Sequence, residues 1–299
     1  MLVTSVQRFC MHDGPGIRTV IFTKGYTLRC RWCHNPETQS KRREILFYET
    51  KYVGCGGCAE VCEKQTQRFE IRHSIDRGLC TACGKCAEVC PTGALEPAGR
   101  FYSLDELLGI VRRDRDFYGA DGGVTLSGGE PMLQDEAAEF LASCSSTGIN
   151  TAVETCGQFA PAAVDKLAGV CDLLLFDIKD TDSERLRLNT GGNLDLILGN
   201  LRKADNLGIK SVMRCIIIGG VNDNDEHYHR LAGIFSGLKN CRYIELLPYH
   251  EYGCSKSLAL GREYETFEVP DSGTLEAAAH LIRQIAPVKL RSKIYPRKE

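Results

Sequence analysis

Nine of the sixteen cysteines in this 299-residue chain lie between Cys30 and Cys90, at short, repeated spacings, while Cys10, Cys144, Cys156, Cys171, Cys215, Cys241 and Cys254 stand singly. A chain of this length buries enough apolar surface to need no covalent staples, and cysteine at roughly a twentieth of the residues is below the disulfide-scaffold range. Thiols clustered in this way are expected to be metal ligands in a reducing compartment, with no disulfide. Lys+Arg at 37 against Asp+Glu at 39 gives a net charge of −2, so no nucleic-acid partner is expected. No apolar run approaches the ~20 residues of a membrane span. Met1 to Arg8 lacks the basic-then-apolar layout of a signal peptide, so a cytoplasmic location without a membrane partner is expected.

Downstream of Arg100, apolar β-branched stretches alternate with amphipathic segments, the signature of βα units around a parallel sheet. Strands are predicted near Thr19–Thr23, Gly123–Leu126, Asn150–Val153, Leu173–Asp177, Ser211–Ile218 and Tyr243–Leu247. Helical spacing covers Leu104–Arg113, Asp135–Ser145, Ala162–Ala168, Leu194–Leu207, Glu226–Leu238 and Leu275–Ile285. The expected fold is α/β, a partial (β/α)6 TIM-like barrel with its chemistry at the C-terminal strand ends, formed by residues 1–46 and 98–299. Residues 47–97 break this rhythm and are expected to be an inserted small α+β domain.

Within that insert, Cys80-x2-Cys83-x2-Cys86-x3-Cys90-Pro91 is the bacterial ferredoxin run, in which three thiolates hold one cubane and the fourth reaches across to another. Upstream, Cys55-x2-Cys58-x3-Cys62 repeats its last three positions, and Tyr52 stands where the first would be. Under the cross-over rule Cys80, Cys83, Cys86 and Cys62 form a complete four-thiolate site, whereas Cys55, Cys58 and Cys90 supply three ligands to the other. One or two 4Fe-4S clusters are thus expected in the insert. Such clusters pass single electrons at potentials set by burial and hydrogen bonds to sulfur.

The first strand runs directly into Lys24-Gly25-Tyr26-Thr27-Leu28-Arg29-Cys30-Arg31-Trp32-Cys33-His34-Asn35-Pro36-Glu37. This segment resembles the cluster motif of radical S-adenosylmethionine enzymes, and specifically of glycyl radical enzyme activating enzymes. The family motif is C-x3-C-x2-C with an aromatic before the last cysteine. It holds a cubane by three thiolates and leaves the fourth iron open to S-adenosylmethionine. Here Cys30 and Cys33 match the second and third ligands, and Tyr26 occupies the first. Three outcomes are open: the Tyr26 oxygen substitutes, the cluster is unstable, or the chain is a ligand-replaced variant of an active parent.

The resemblance covers nearly the whole chain. Asp13-Gly14-Pro15-Gly16-Ile17-Arg18 matches a loop that lies near the substrate peptide in this family, and Ser127-Gly128-Gly129-Glu130-Pro131 matches the turn that meets the methionine ammonium of the cosubstrate. Glycines there are expected to let the backbone approach that group. Glu154, Thr155 and Asp177 match positions that hold a monovalent cation in related activating enzymes. Lys179, Arg214 and His250 match contacts to the cosubstrate carboxylate or sugar. Trp32 is expected to shape the adenine pocket or pack the cluster. Cys156 has no nearby histidine in sequence and reads as an inert buried thiol rather than a nucleophile.

The resemblance implies an oxidoreductase fed by flavodoxin or ferredoxin. It would cleave S-adenosylmethionine reductively to a 5′-deoxyadenosyl radical and abstract a glycine hydrogen from a partner glycyl radical enzyme. The insert moves weight away from the simplest pyruvate formate-lyase and ribonucleotide reductase activases, towards activators of dehydratases, decarboxylases and lyases. Two other readings compete: a catalytically impaired electron-transfer or binding protein, favoured by Tyr26, and a radical enzyme acting on a small molecule.

Overall fold

The computed structural model describes residues 1–69 and 72–290. In chain order its strands are β1 (Leu2–Cys10), β2 (Arg18–Thr23), β3 (Glu44–Phe47), β4 (Gln67–Arg68), β5 (Ser74–Ile75), β6 (Leu95–Ala98), β7 (Arg100–Phe101), β8 (Gly123–Gly128), β9 (Asn150–Thr155), β10 (Leu173–Asp177), β11 (Ser211–Ile217), β12 (Cys241–Pro248) and β13 (Val288–Leu290). The helices are α1 (Gly57–Glu60), α2 (Lys85–Glu88), α3 (Leu104–Arg113), α4 (Ala137–Ser146), α5 (Ala162–Asp165), α6 (Ser183–Thr190), α7 (Leu194–Asn206), α8 (Asp225–Ser236), α9 (Cys254–Ala259) and α10 (Ser272–Arg283).

One open sheet in the order β13-β12-β11-β10-β9-β8-β2-β1-β7 organises the molecule. From β2 to β13 all neighbours are parallel, so their C-terminal ends share one edge. Val20, Ile21, Val124, Leu126, Ala152 and Val153 have no exposed surface, as expected for strands covered on both faces. One cavity is lined by the ends of β8 through β12, which requires the sheet to curve into a partial barrel. All six expected strands are present. The structure adds parallel β13, and antiparallel β1 and β7 beyond β2.

The helices pack their apolar faces on the sheet. Leu107 and Val111 of α3 are fully buried in the main core, and Ser103 and Glu106 cap its N-terminus reciprocally. Helix α6 was not expected, and its amphipathic signal is weak; Asp182 caps it by accepting from Arg185 N at 2.9 Å.

Residues 44–98 start and finish on a single ladder, β3 against β6, pairing Glu44 with Ala98 and Phe47 with Leu95. The ladder therefore reaches a few residues beyond the expected 47–97. Between its arms lie α1, the β4–β5 hairpin and α2, around Ile45, Cys58, Ala82, Cys86 and Leu95. Arg77 ties this segment to the barrel, donating to Ile45 O at 2.8 Å and to Ala259 O at 2.7 Å.

Arg18, fully buried at the start of β2, is a structural clamp. It donates to Thr125 Oγ1 (2.6 Å), Val124 O (2.6 Å), Asn150 Oδ1 (3.1 Å) and Pro15 O (3.1 Å), joining β2, β8, β9 and the β1–β2 loop. Burial pulls its guanidinium down to about 10, which still leaves it charged at neutral pH. Arg18→Met strands these acceptors, and we expect a loss on the order of 3 kcal/mol in urea unfolding, with unchanged urea dependence. A loss below about 1 kcal/mol would contradict the clamp.

Candidate active site

The cysteine loop leaves β2 and is held on both sides. Gly25 N donates to Thr38 O at 2.7 Å, Arg29 N to Thr190 O at 2.7 Å, and Glu130 N to Gly25 O at 2.8 Å. A Cβ on Gly129 would stand 2.1 Å from Gly25 O, and one on Gly128 would stand 2.5 Å from the backbone of Thr23. The clearance of Gly129 is thus used by the cysteine loop and that of Gly128 by the end of β2, while both glycines also line the cavity described next. Gly253 plays the same part opposite, where a Cβ would lie 2.1 Å from Cys33 O.

A cavity of about 600 Å³ opens at the C-terminal strand edge. Tyr26, Cys30, Trp32 and Cys33 line it from the loop, and Gly128, Gly129, Glu154 and Thr155 line it from β8 and β9. Asp177, Lys179 and Arg214 form its charged wall, with His250 and Asp13 further along. Glu130 alone among the expected residues of this site does not line it. Residues the sequence did not flag also line it: Ser5 and Gln7 on β1, His34 beside Cys33, and Tyr249 and Tyr252 on either side of His250. Adjacency to motif residues was the only available signal for His34 and Tyr249.

Opposed charges are packed on the cavity wall. Arg214, 3% exposed, donates through Nε to Asp177 Oδ1 at 2.8 Å and also pairs with Glu154. Lys179 Nζ donates to Asp177 Oδ2 at 2.7 Å, and Ser127 Oγ donates to Glu154 Oε2 at 2.9 Å. Burial opposes ionisation of Asp177, but Arg214 and Lys179 outweigh it and hold the carboxyl below its usual range. Burial likewise disfavours the ammonium of Lys179, and Asp177 with Cys30 more than offsets this and raises it. Two cations thus balance two anions where a monovalent cation was expected. Thr155, expected at that cation, turns its hydroxyl to Glu130 Oε2 at 2.7 Å.

Glu130 is fully buried beneath the cavity. It accepts from Thr155 Oγ1, from Cys156 N at 3.1 Å and from Met132 N at 3.3 Å, so it fixes the β8 and β9 exits rather than facing a ligand. Burial pushes its carboxyl up to about 7 despite these donors. Asn222 braces the next strands, donating to Lys179 O at 3.1 Å and Ile216 O at 2.9 Å.

Around Tyr26, burial governs protonation. It raises the Tyr26 phenol well above its usual range and pushes the Cys30 thiol up to about 12. Tyr26 packs beside Cys30 and Cys156, and the Cys156 thiol donates to Glu130 Oε2 at 3.4 Å. The motif brings two thiols and a phenol to the cavity: Cys30 and Cys33 fit the family pattern and Tyr26 does not, while a third thiol, Cys156, lines the cavity against Glu130. At the far side Trp32 packs edge-on to Phe267 at 5.8 Å, its buried indole N–H unpartnered, while His250 stacks on Tyr252 at 4.3 Å.

In the segment from β3 to β6, a second cavity of about 80 Å³ is lined by Cys62, Cys80, Cys83 and Cys86, the four thiols assigned to one site by spacing. Thr66 N donates to Cys62 Sγ at 3.3 Å and Ala82 N to Cys80 Sγ at 3.4 Å, so backbone donors already point at sulfur, and this donor set fits a cubane. Cys55, Cys58 and Cys90 lie on the other side, beside Tyr52.

Residues 20–232 match the radical SAM superfamily. The chain is 42% identical over 272 residues to the choline trimethylamine-lyase activating enzyme of Oleidesulfovibrio alaskensis, with 88% of each chain covered. It is 38% identical to the trans-4-hydroxy-L-proline dehydratase activating enzyme of Clostridioides difficile (94% and 95% covered) and 41% identical to the benzylsuccinate synthase activating enzyme of Thauera aromatica (87% and 82% covered). Among solved structures, Streptococcus suis SuiB bound to precursor peptide SuiA superposes with a TM-score of 0.57 at 13% identity, over 91% of this chain and 47% of that one, a likeness of fold.

Two predictions follow from the buried charges. With its folded pKa near 7 against an ordinary 4.5, Glu130 keeps a proton in the folded state that the unfolded chain has lost. Its contribution to stability is therefore complete below pH 4.5 and lost as pH rises through about 7. The stability of the parent relative to Glu130→Gln should fall by on the order of 3 kcal/mol across that window, and parallel pH profiles would refute the assignment. Arg214→Met leaves Asp177 and Glu154 short of their counter-charge, and urea unfolding should show a loss of about 3 to 5 kcal/mol; a neutral result would contradict the pairing.

Proposed function

Because this chain belongs to the radical SAM superfamily, and within it to the activating enzymes of glycyl radical enzymes, we propose that its larger cavity binds S-adenosylmethionine and that it acts on a backbone glycine of a partner glycyl radical enzyme. The observation carrying this reading is convergence. The Cys30–Cys33 loop, the Gly128–Gly129 turn and the Lys179–Asp177–Arg214–Glu154 wall reach one cavity of a size suited to such a cosubstrate.

Lys179 and Arg214 present cations to the carboxylate of the cosubstrate, and Glu154 presents an anion to its ammonium. Trp32 and His250 flank the adenosyl part. Ser5 and Gln7 of β1 and Asp13 of the β1–β2 loop carry the cavity toward the antiparallel side of the sheet, and this path suits a glycine-bearing loop entering beside the open edge. A 4Fe-4S cluster held at Cys30 and Cys33 would supply the electron that breaks the sulfonium carbon–sulfur bond, giving methionine and a 5′-deoxyadenosyl radical. The buried wall holds the cosubstrate and keeps water away while hydrogen is taken from glycine.

Residues 47–97 read as an inserted ferredoxin-type domain through which a flavodoxin or ferredoxin delivers electrons. The shared β3–β6 ladder and the four-thiol cavity support this. One observation favours a silent electron carrier instead: Tyr26, at the first ligand position, lines the cavity and brings no thiol to it.

Anaerobic reconstitution with iron counting, followed by a 5′-deoxyadenosine assay under dithionite, separates the readings. Tyr26→Cys should yield at least about 10-fold more nucleoside than the parent. Equal yields would show that Tyr26 is not limiting, and absence of nucleoside from both forms would refute the enzyme reading.

A further inference from the structure

On the helix side of the charged wall lies a buried imidazole that the proposed chemistry does not use. His227 stands in the first turn of α8, where Asn224 Oδ1 accepts from its backbone N at 3.0 Å. Its Nε2 lies 3.2 Å from Cys215 Sγ, and its Nδ1 lies 2.8 Å from Thr181 Oγ1. Cys215 follows Arg214 on β11, and Thr181 comes two residues after Lys179, just past β10. Side chains alternate along a strand, so Arg214 faces the cavity and Cys215 faces the helix layer. Asp180 Oδ1, 3.7 Å from Nδ1, favours the proton on that nitrogen, so Nδ1–H donates to Thr181 and Nε2 accepts from the Cys215 thiol. Burial pulls the imidazole down to about 4, and the ring is neutral at ordinary pH. Cys215, His227 and Asp180 are each 1% exposed and none lines the cavity, so the trio has no path to a substrate as a nucleophile and its base.

We propose that His227 is a positioning residue for S-adenosylmethionine: by tying Thr181 to Cys215 it holds Lys179 in place beside Arg214, so that the two cations meet one carboxylate. This rests on the cosubstrate reading given above. The β10–β11 ladder ends at the pair Asp177 and Arg214, with Ile178 N donating to Arg214 O at 2.8 Å. Lys179 and the residues after it have therefore left the sheet, and side chains from elsewhere must hold them. Arg185 grips the Asp180 carboxylate at 2.6 and 2.8 Å, and Asn222 donates to Lys179 O at 3.1 Å. His227 adds the tie from Thr181 across to β11. A neutral ring with one nitrogen donating and the other accepting makes this tie without placing a third cation behind a wall whose charges already balance. Without it the Thr181 and Cys215 groups lose their buried partner, and Lys179 is free to shift against Arg214. Displacements of an ångström at groups that orient a substrate are costly even when the changed residue never touches it.

The full-length chain and its Tyr26→Cys form, reconstituted anaerobically, are titrated with two probes. One is S-adenosylmethionine; the other is 5′-methylthioadenosine, which keeps the adenosyl part and lacks the amino-acid carboxylate and ammonium. His227→Ala should weaken binding of S-adenosylmethionine about 10-fold and change that of 5′-methylthioadenosine by less than about 2-fold, a selectivity that general loosening of the fold does not produce. Thr181→Val removes the hydroxyl with little change of shape; it should show the same selective loss, and it decides the matter if His227→Ala does not fold. In a Lys179→Met background His227→Ala should cost less than about 2-fold more, because the effect runs through Lys179. If the parent prefers S-adenosylmethionine, then equal weakening of both probes, no weakening of either, or full additivity with Lys179→Met overturns the positioning role while the cosubstrate reading stands. If neither the parent nor Tyr26→Cys prefers S-adenosylmethionine to 5′-methylthioadenosine, the cosubstrate reading itself falls, and the role of His227 with it.

Discussion

The ends of three adjacent strands carry opposed charges that could not be buried alone. Asp177 on β10 and Glu154 on β9 face Arg214 on β11, with Lys179 just past β10, and each carboxylate oxygen that is accounted for meets a cation or a hydroxyl. Removing any one leaves a charge in a low-dielectric wall. The balance therefore braces β9, β10 and β11 against one another at their C-terminal ends, and leaves a polar surface lining the cavity. Asn222 and Glu130 extend this bracing through neutral and backbone contacts, so the wall needs no ligand to hold its shape.

Two tyrosines stand at leading cysteine positions, and the fold treats them differently. Tyr26 lies in the larger cavity, packed beside Cys30 and Cys156. Tyr52 lies flat on His73, inside an aromatic stack that also holds Phe69. The two replacements are therefore not equivalent. One lines a cavity beside two motif thiols, and the other is packed between rings.

Much of this was legible in the sequence because parallel strands buried on both faces are written as apolar runs, and because the motifs sit directly after them. β1 was not legible: only Leu2 and Val3 at its start are fully buried, and the rest alternates with polar residues. β7 and β13 are two and three residues long. Glu130 was misplaced because a Gly-Gly-Glu-Pro turn does not say which way its carboxylate points; the tight packing of Gly129 on Gly25 sends it inward.

Helix α9 begins just after the Tyr249–Tyr252 wall of the cavity, and its far end receives Arg77 from the cysteine-bearing segment at Ala259 O. Leu46 and Ala98 of the β3–β6 ladder pack on Ala259 and Leu260, while Lys256 grips Asn35 and Glu37 of the cysteine loop. One short rod thus touches the larger cavity, the loop of Cys30 and Cys33, and the β3–β6 segment with its seven cysteines. A shift in its tilt would move all three together, making the shape of the cavity and its distance from those cysteines a single mechanical variable.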